Sequence, residues 1–171
     1  MRALKRIVRL LDGITVWTAR ICFPLLIPLM GVLVYEVFVR KLFIAPTIWA
    51  MDTSYMINGL LGMMGAVYAL YRGGHIAIDF ISERWSLRTR ATVNAIFYII
   101  CFFPGMSIFL WFGSKFAYAS WLEKERAITS AWMPPIYPLK MLMVVAIVFL
   151  ILQGISEFLK NLHVFLRGER P

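Results

Sequence analysis

Charge is what this sequence has least of. Only 16% of its 171 residues are Asp, Glu, Lys or Arg, where a soluble domain carries about 25%. Apolar residues make up 61%, and the mean hydropathy is +0.75. This excludes an ordinary soluble enzyme and a disordered tail. Cys22 and Cys101 are the only cysteines, too few for a disulfide framework or a zinc cluster. Acids are outnumbered nine to eighteen by Lys and Arg, for a net charge of +9. In so apolar a chain that excess bears on loop topology, and no nucleic-acid partner is expected. Linkers, low-complexity stretches and internal repeats are also missing, so residues 1–171 read as one domain. Without an inverted repeat, the usual sign of a self-sufficient carrier is lacking.

What is present is a set of four long apolar runs. Ile21 to Tyr35 is free of charge, and the flanking Arg20 and Glu36 lie 16 residues apart. At ~1.5 Å per residue that is ~24 Å, close to the ~30 Å hydrocarbon thickness. Thr53–Tyr71, Ala91–Ser114 and Met141–Ser156 are the other runs. Pro134, Pro135 and Pro138 stand where the fourth begins, a position at which a missing N–H costs little. Each run is expected to be helical, because a bilayer offers an open backbone no water. The expected fold is an all-α integral membrane domain with spans at about 14–38, 50–72, 91–114 and 136–158. An amphipathic interfacial helix at about 2–13 precedes them, with Leu4, Ile7, Val8, Leu11 and Ile14 on one face and Arg2, Lys5, Arg6 and Arg9 mostly opposite.

Counting Lys and Arg by side gives twelve with the N-terminus, the Arg72–Arg90 loop and the tail, and six on the other side. The positive-inside rule then places both termini in the cytoplasm of a cell whose inner membrane holds the chain. Trp17, Trp49, Trp85, Trp121 and Trp132 fall near run ends, as interfacial aromatics do.

The chemistry on offer is sparse. His75 and His163 both lie beyond apolar runs, whereas a haem needs ligands facing each other inside a bundle. Cys22 and Cys101 differ in depth by ~12 Å, beyond the ~7 Å reach of a disulfide. No ionisable residue lies near the middle of a run, where a proton-coupled carrier would place one. Asn58 and Gln153 are the polar residues at depth, and such amides join helices. The second run also sets Asn58, Gly62, Gly65, Ala66 and Ala69 at spacings of three and four, a stripe that lets another backbone approach closely. Packing inside the bundle and packing against a partner chain remain equal readings of it. No cofactor and no catalytic or metal site is expected.

Several segments in order resemble the small membrane subunit, DctQ type, of the tripartite ATP-independent periplasmic (TRAP) transporters. Span two and its exit carry most of the likeness: Trp49-Ala50-Met51-Asp52-Thr53-Ser54-Tyr55-Met56, then Gly62 and Gly65-Ala66, then Tyr71-Arg72-Gly73-Gly74-His75-Ile76-Ala77-Ile78-Asp79. Glu36 to Arg40 resembles the family's end of span one, and Pro134 to Lys140 with Leu152 to Ile155 its fourth span. Where many members open span two with an acidic pair, this chain has Asp52 alone. The wording is closest to the branch labelled for mannitol, chloroaromatic or 2-oxo acid uptake.

The resemblance implies a division of labour. A large elevator-type membrane subunit would carry the sodium and substrate sites, a periplasmic binding protein would deliver an organic acid, and this chain would be part of the static scaffold. Arg40, Trp49, Asp52, Arg72, His75, Asp79, Pro138, Lys140 and Gln153 become structural candidates. Asp52 and Lys140 are expected to pair across spans two and four. Arg40, Lys41, Lys124 and Arg126 are candidates for docking the binding protein. The alternative is a membrane redox subunit holding haem or quinone.

Overall fold

The computed structural model describes residues 2–44, 47–73, 87–128 and 130–167. Among them there is no strand, only helices and one isolated bridge in a loop. Helix α1 (Arg2–Cys22) passes through a tight 3-10 turn, Phe23–Leu25, into α2 (Leu26–Phe43). Pro24 occupies that turn, where the missing N–H breaks the regular ladder without ending the helix. The chain therefore runs unbroken through residues 13 and 14, where the sequence reading divides an interfacial helix from the first span. The division comes at Phe23–Leu25 instead.

Helix α3 spans Ala50–Tyr71 and ends as the sequence implies, with Gly73 at φ +79° closing it and its N–H on the Leu70 carbonyl at 3.0 Å. Helix α4 (Leu87–Phe97) continues through a π-helical turn, Tyr98–Phe102, into α5 (Phe103–Glu123). Pro104 stands just past that turn. A proline ring collides with the carbonyl four residues back, and widening the preceding turn relieves the collision. Lys124 caps α5 in the left-handed conformation, and α6 runs from Tyr137 to Arg167 with Pro138 as its second residue.

Helix α6 is the hub, packed against α1, α3, α4 and α5, while α2 leans on α3. Small residues permit this. The ring of Phe102 lies directly over Gly154, and Ile147 Cδ1 is 3.5 Å from the place a Cβ would take on Gly113. Cys22, Met64 and Ala146 close the contact of α1, α3 and α6. The most buried side chains mix apolar Leu70, Ile147 and Val67 with polar Gln153 and Ser156. Large apolar groups such as Ile27, Leu42 and Phe112 point outward. A core with polar members and an apolar outside is the order expected where lipid replaces water.

By length and composition three stretches can cross a membrane: Arg6–Phe43, Thr89–Glu123 and Tyr137–Phe165. Helix α3 has 22 residues, ~33 Å at ~1.5 Å per residue, but Asn58 and its glycines dilute its apolar character. Of the four expected spans, three are thus marked by apolar length, and α3 is long enough without being as apolar.

Candidate functional site

The bundle holds polar groups at both ends and an open face between them. At the end where α1 begins and α6 finishes, two helices build one hydrogen-bonded cluster. Gln153, Ser156, Glu157 and Lys160 recur at three- and four-residue spacing on α6, so they share a face. Asp12 and Thr15 on α1 meet that face. The Thr15 hydroxyl donates to Gln153 Oε1 at 2.6 Å, and Gln153 Nε2 donates to Asp12 Oδ1 at 3.1 Å and Glu157 Oε1 at 3.2 Å. Ser156 donates to Asp12 Oδ1 at 2.7 Å. Lys160 Nζ lies 2.8 Å from Asp12 Oδ2 and 2.7 Å from Glu157 Oε1, over the Tyr71 ring at 5.3 Å. Both carboxylates are satisfied by one ammonium and neutral donors, as buried charge requires.

At the other end the loops are tied down. Arg40 donates to Glu36 Oε1 through Nη2 at 2.6 Å and Nε at 3.1 Å. The second oxygen of Glu36 accepts the Thr47 N–H at 3.2 Å and the Thr47 hydroxyl, fixing the turn between α2 and α3. Trp49, at the head of α3, stacks on Tyr35 with centroids 5.8 Å apart. Residues 125–136 form a small hairpin, with Ala127 N–H on the Pro134 carbonyl at 2.9 Å and Ile136 N–H on the Glu125 carbonyl at 3.1 Å.

Two side chains anchor the hairpin. Asp52, buried, accepts the Ser130 hydroxyl, and Lys140 pairs with Glu125 while sitting 3.8 Å over the Phe116 ring. The expected Asp52–Lys140 pair is thus replaced by two ties to the intervening loop. The cause is geometric, because the loop folds back over both helix starts and brings its own acid to Lys140. That hydrogen bond, with the positive charge behind it, holds the Glu125 carboxyl below the usual carboxylate range.

The other candidates are scattered. Arg72 caps α3 and places its guanidinium over the Tyr68 ring at 5.8 Å. Lys41, Lys124 and Arg126 are exposed. His75 and Asp79 lie outside the described residues. Within the α3 stripe, Asn58, Gly59 and Gly62 are exposed and Gly65, Ala66 and Ala69 half-buried, while Met64, Val67 and Leu70 on the opposite side are buried. A Cβ built on Gly59, Gly62 or Gly65 would meet nothing within 4 Å. Among the described residues no group of three or more His, Cys, Asp or Glu could hold a metal ion.

Asp12, Thr15, Ser156, Glu157 and Lys160 are absent from the sequence reading. Their signal was the spacing of 153, 156, 157 and 160, which the assignment of everything past Glu157 to a cytoplasmic tail concealed.

A family profile described as the DctQ component of the tripartite ATP-independent periplasmic transporters matches residues 29–163. The sialic acid TRAP transporter permease protein SiaT of Haemophilus influenzae (strain 86-028NP) is 25% identical over 91 residues, 53% of this chain. The match covers only 15% of that relative's own length. No solved structure matches.

Proposed function

We propose, for a chain that belongs to the DctQ component family of TRAP transporters, the role of a static small subunit that braces a large elevator-type membrane partner. Four helices cross the inner membrane in this reading, α3 included, with both termini in the cytoplasm. A periplasmic binding protein delivers the cargo, an organic acid moved with sodium, of the branch that the opening of α3 resembles. A transporter family favours this reading over a redox subunit.

The observation that carries it is the outward face of α3. Asn58 and two glycines stand exposed on a helix flanked by neighbours with apolar exteriors. In hydrocarbon an exposed amide lacks partners, and glycines gain from close backbone approach, so such a face fits against another helix. Fixed depth supports the bracing role. Lys140 and Lys160 are twenty residues apart on α6, ~30 Å, the hydrocarbon thickness. Each is held by an acid of another element, Glu125 or Asp12. Arg40, Lys41, Lys124 and Arg126, at the hairpin end, are offered to the binding protein.

Reconstitution tests the whole reading. Sodium-driven uptake should require the large subunit, the binding protein and this chain together, and Gly62→Leu should reduce recovery of the large subunit with it. Uptake by this chain alone, or full uptake without it, would sink the proposal.

A further inference from the structure

The outer face of α1 is not used by any of the contacts described so far, and its register is fixed. Asp12 and Thr15 are bonded to α6, and Val8, Ala19 and Cys22 are buried on the same side. At 100° per residue this turns Leu10, Ile14, Trp17 and Ile21 outward, at 63%, 44%, 67% and 52% exposure. Ile7 and Ile14, expected to share a face with Val8, are therefore on the outer side, and the reason is that Asp12 must face Lys160. Beside the N-terminal end of this apolar stripe stand Arg6 and Arg9, both exposed and without a hydrogen bond or ion pair among the described residues. The only acid on α1 is Asp12, and it is consumed inside.

We propose that this strip binds an anionic phospholipid, with Arg6 and Arg9 on the headgroup phosphate and the acyl chains along Leu10, Ile14, Trp17 and Ile21. Length supports the fit. Leu10 to Ile21 covers eleven residues, ~16 Å. One leaflet contributes about half of a ~30 Å hydrocarbon core. Direction supports it as well, because α1 runs antiparallel to α6: Asp12 meets Lys160, Thr15 meets Gln153, and Cys22 meets Ala146. The stripe therefore descends from the Lys160 level towards the middle of the bundle, as acyl chains do. Charge selects the headgroup. Two guanidiniums with no acidic neighbour favour a net-negative lipid over a zwitterionic one, and each basic group near an anionic surface is worth about fivefold in affinity. The family profile begins at Leu29, so this strip is a property of the chain beyond what the family match covers.

The test uses the purified full chain in detergent micelles, titrated with phosphatidylglycerol or phosphatidylcholine and read by native mass spectrometry. Wild type should retain phosphatidylglycerol about tenfold more tightly. Arg6→Gln with Arg9→Gln should erase that preference while leaving phosphatidylcholine retention unchanged. Equal retention of both lipids by wild type, or a preference surviving the double variant, would overturn the proposal. Independently of how that variant folds, phosphatidylglycerol brominated on its acyl chains should quench wild-type fluorescence more than that of Trp17→Phe; identical quenching removes the acyl strip. Should the arginine variant keep its lipids yet lose a large membrane subunit on co-purification, the strip is a helix interface and the lipid reading falls.

Discussion

A glycine and a glutamate show how narrowly single residues are constrained here. Gly154 has no room for a side chain, since a Cβ there would come within 2.7 Å of Phe102 Cζ and be crowded by the rest of that ring. Phe102 cannot swing freely, because it packs edge-on to Tyr98 and Phe103, at 5.2 Å and 5.6 Å. Gly154→Ala should therefore destabilise the bundle by about 1–3 kcal/mol, as overpacking does, and a lowered unfolding midpoint in detergent checks it. Glu125 acts through charge. Its carboxyl sits below the ordinary range because Lys140 hydrogen-bonds it, so the tie is complete above the unfolded value of about 4.3 and is lost as pH falls through the lower folded value. Protection of the Ala127 and Ile136 amides against hydrogen exchange should hold from pH 7 down to about 4 and decline below. Glu125→Gln should weaken that protection already at pH 7.

At the scale of elements the decisive contact is α1 against α6. Gln153 is fully buried and joins Thr15, Asp12 and Glu157. Gln153→Leu would leave a buried hydroxyl and a carboxylate short of partners, costing about 1–2 kcal/mol at this contact. The outcome to look for is faster trypsin cleavage after Arg9, with α3 and α5 as protected as before; unchanged cleavage would show that apolar contacts alone hold α1. The sequence made Gln153 visible as an amide at depth, and it made the apolar lengths, the proline at the start of α6 and the glycine exit of α3 visible too. Hydrophobic runs and helix-ending residues are local properties, so they can be read one segment at a time. The partner of Gln153 was hidden because Asp12 sits among arginines in a segment that reads as interfacial. Which acid meets Lys140 was equally hidden, since Glu125 and Asp52 are both near in height and only the path of the 125–136 hairpin decides. The face of α1 went astray for the same reason: counting apolar residues put Ile14 inside, whereas one buried carboxylate outweighs a methyl group and rotates the helix.

For the molecule as a whole, the two ends differ in charge and in architecture. One end holds the α2–α3 turn and the 125–136 hairpin, each tied by an acid: Glu36 with Arg40, Asp52 with Ser130, Glu125 with Lys140. The other end holds the start of α1, the exit of α3 and the finish of α6, where the basic residues concentrate. Insertion follows the distribution of Lys and Arg close to the spans, and acids count for little, so the end with Arg6, Arg9 and Lys160 should stay in the cytoplasm. The prediction needs a probe at each end. In a background with Cys22 and Cys101 replaced by alanine, Arg126→Cys places a thiol on the exposed hairpin and Arg9→Cys one on the exposed edge of α1. A membrane-impermeant maleimide added to intact spheroplasts should label the Arg126→Cys protein at once. The Arg9→Cys protein should react only after the membrane is opened. Labelling in the opposite order would invert the whole molecule and move the hairpin, with its exposed Arg126 and Trp132, to the side where no periplasmic protein could reach it. Labelling of both thiols in intact cells would mean that an odd number of helices crosses, leaving α3 on the surface, as its weaker apolar character alone would allow.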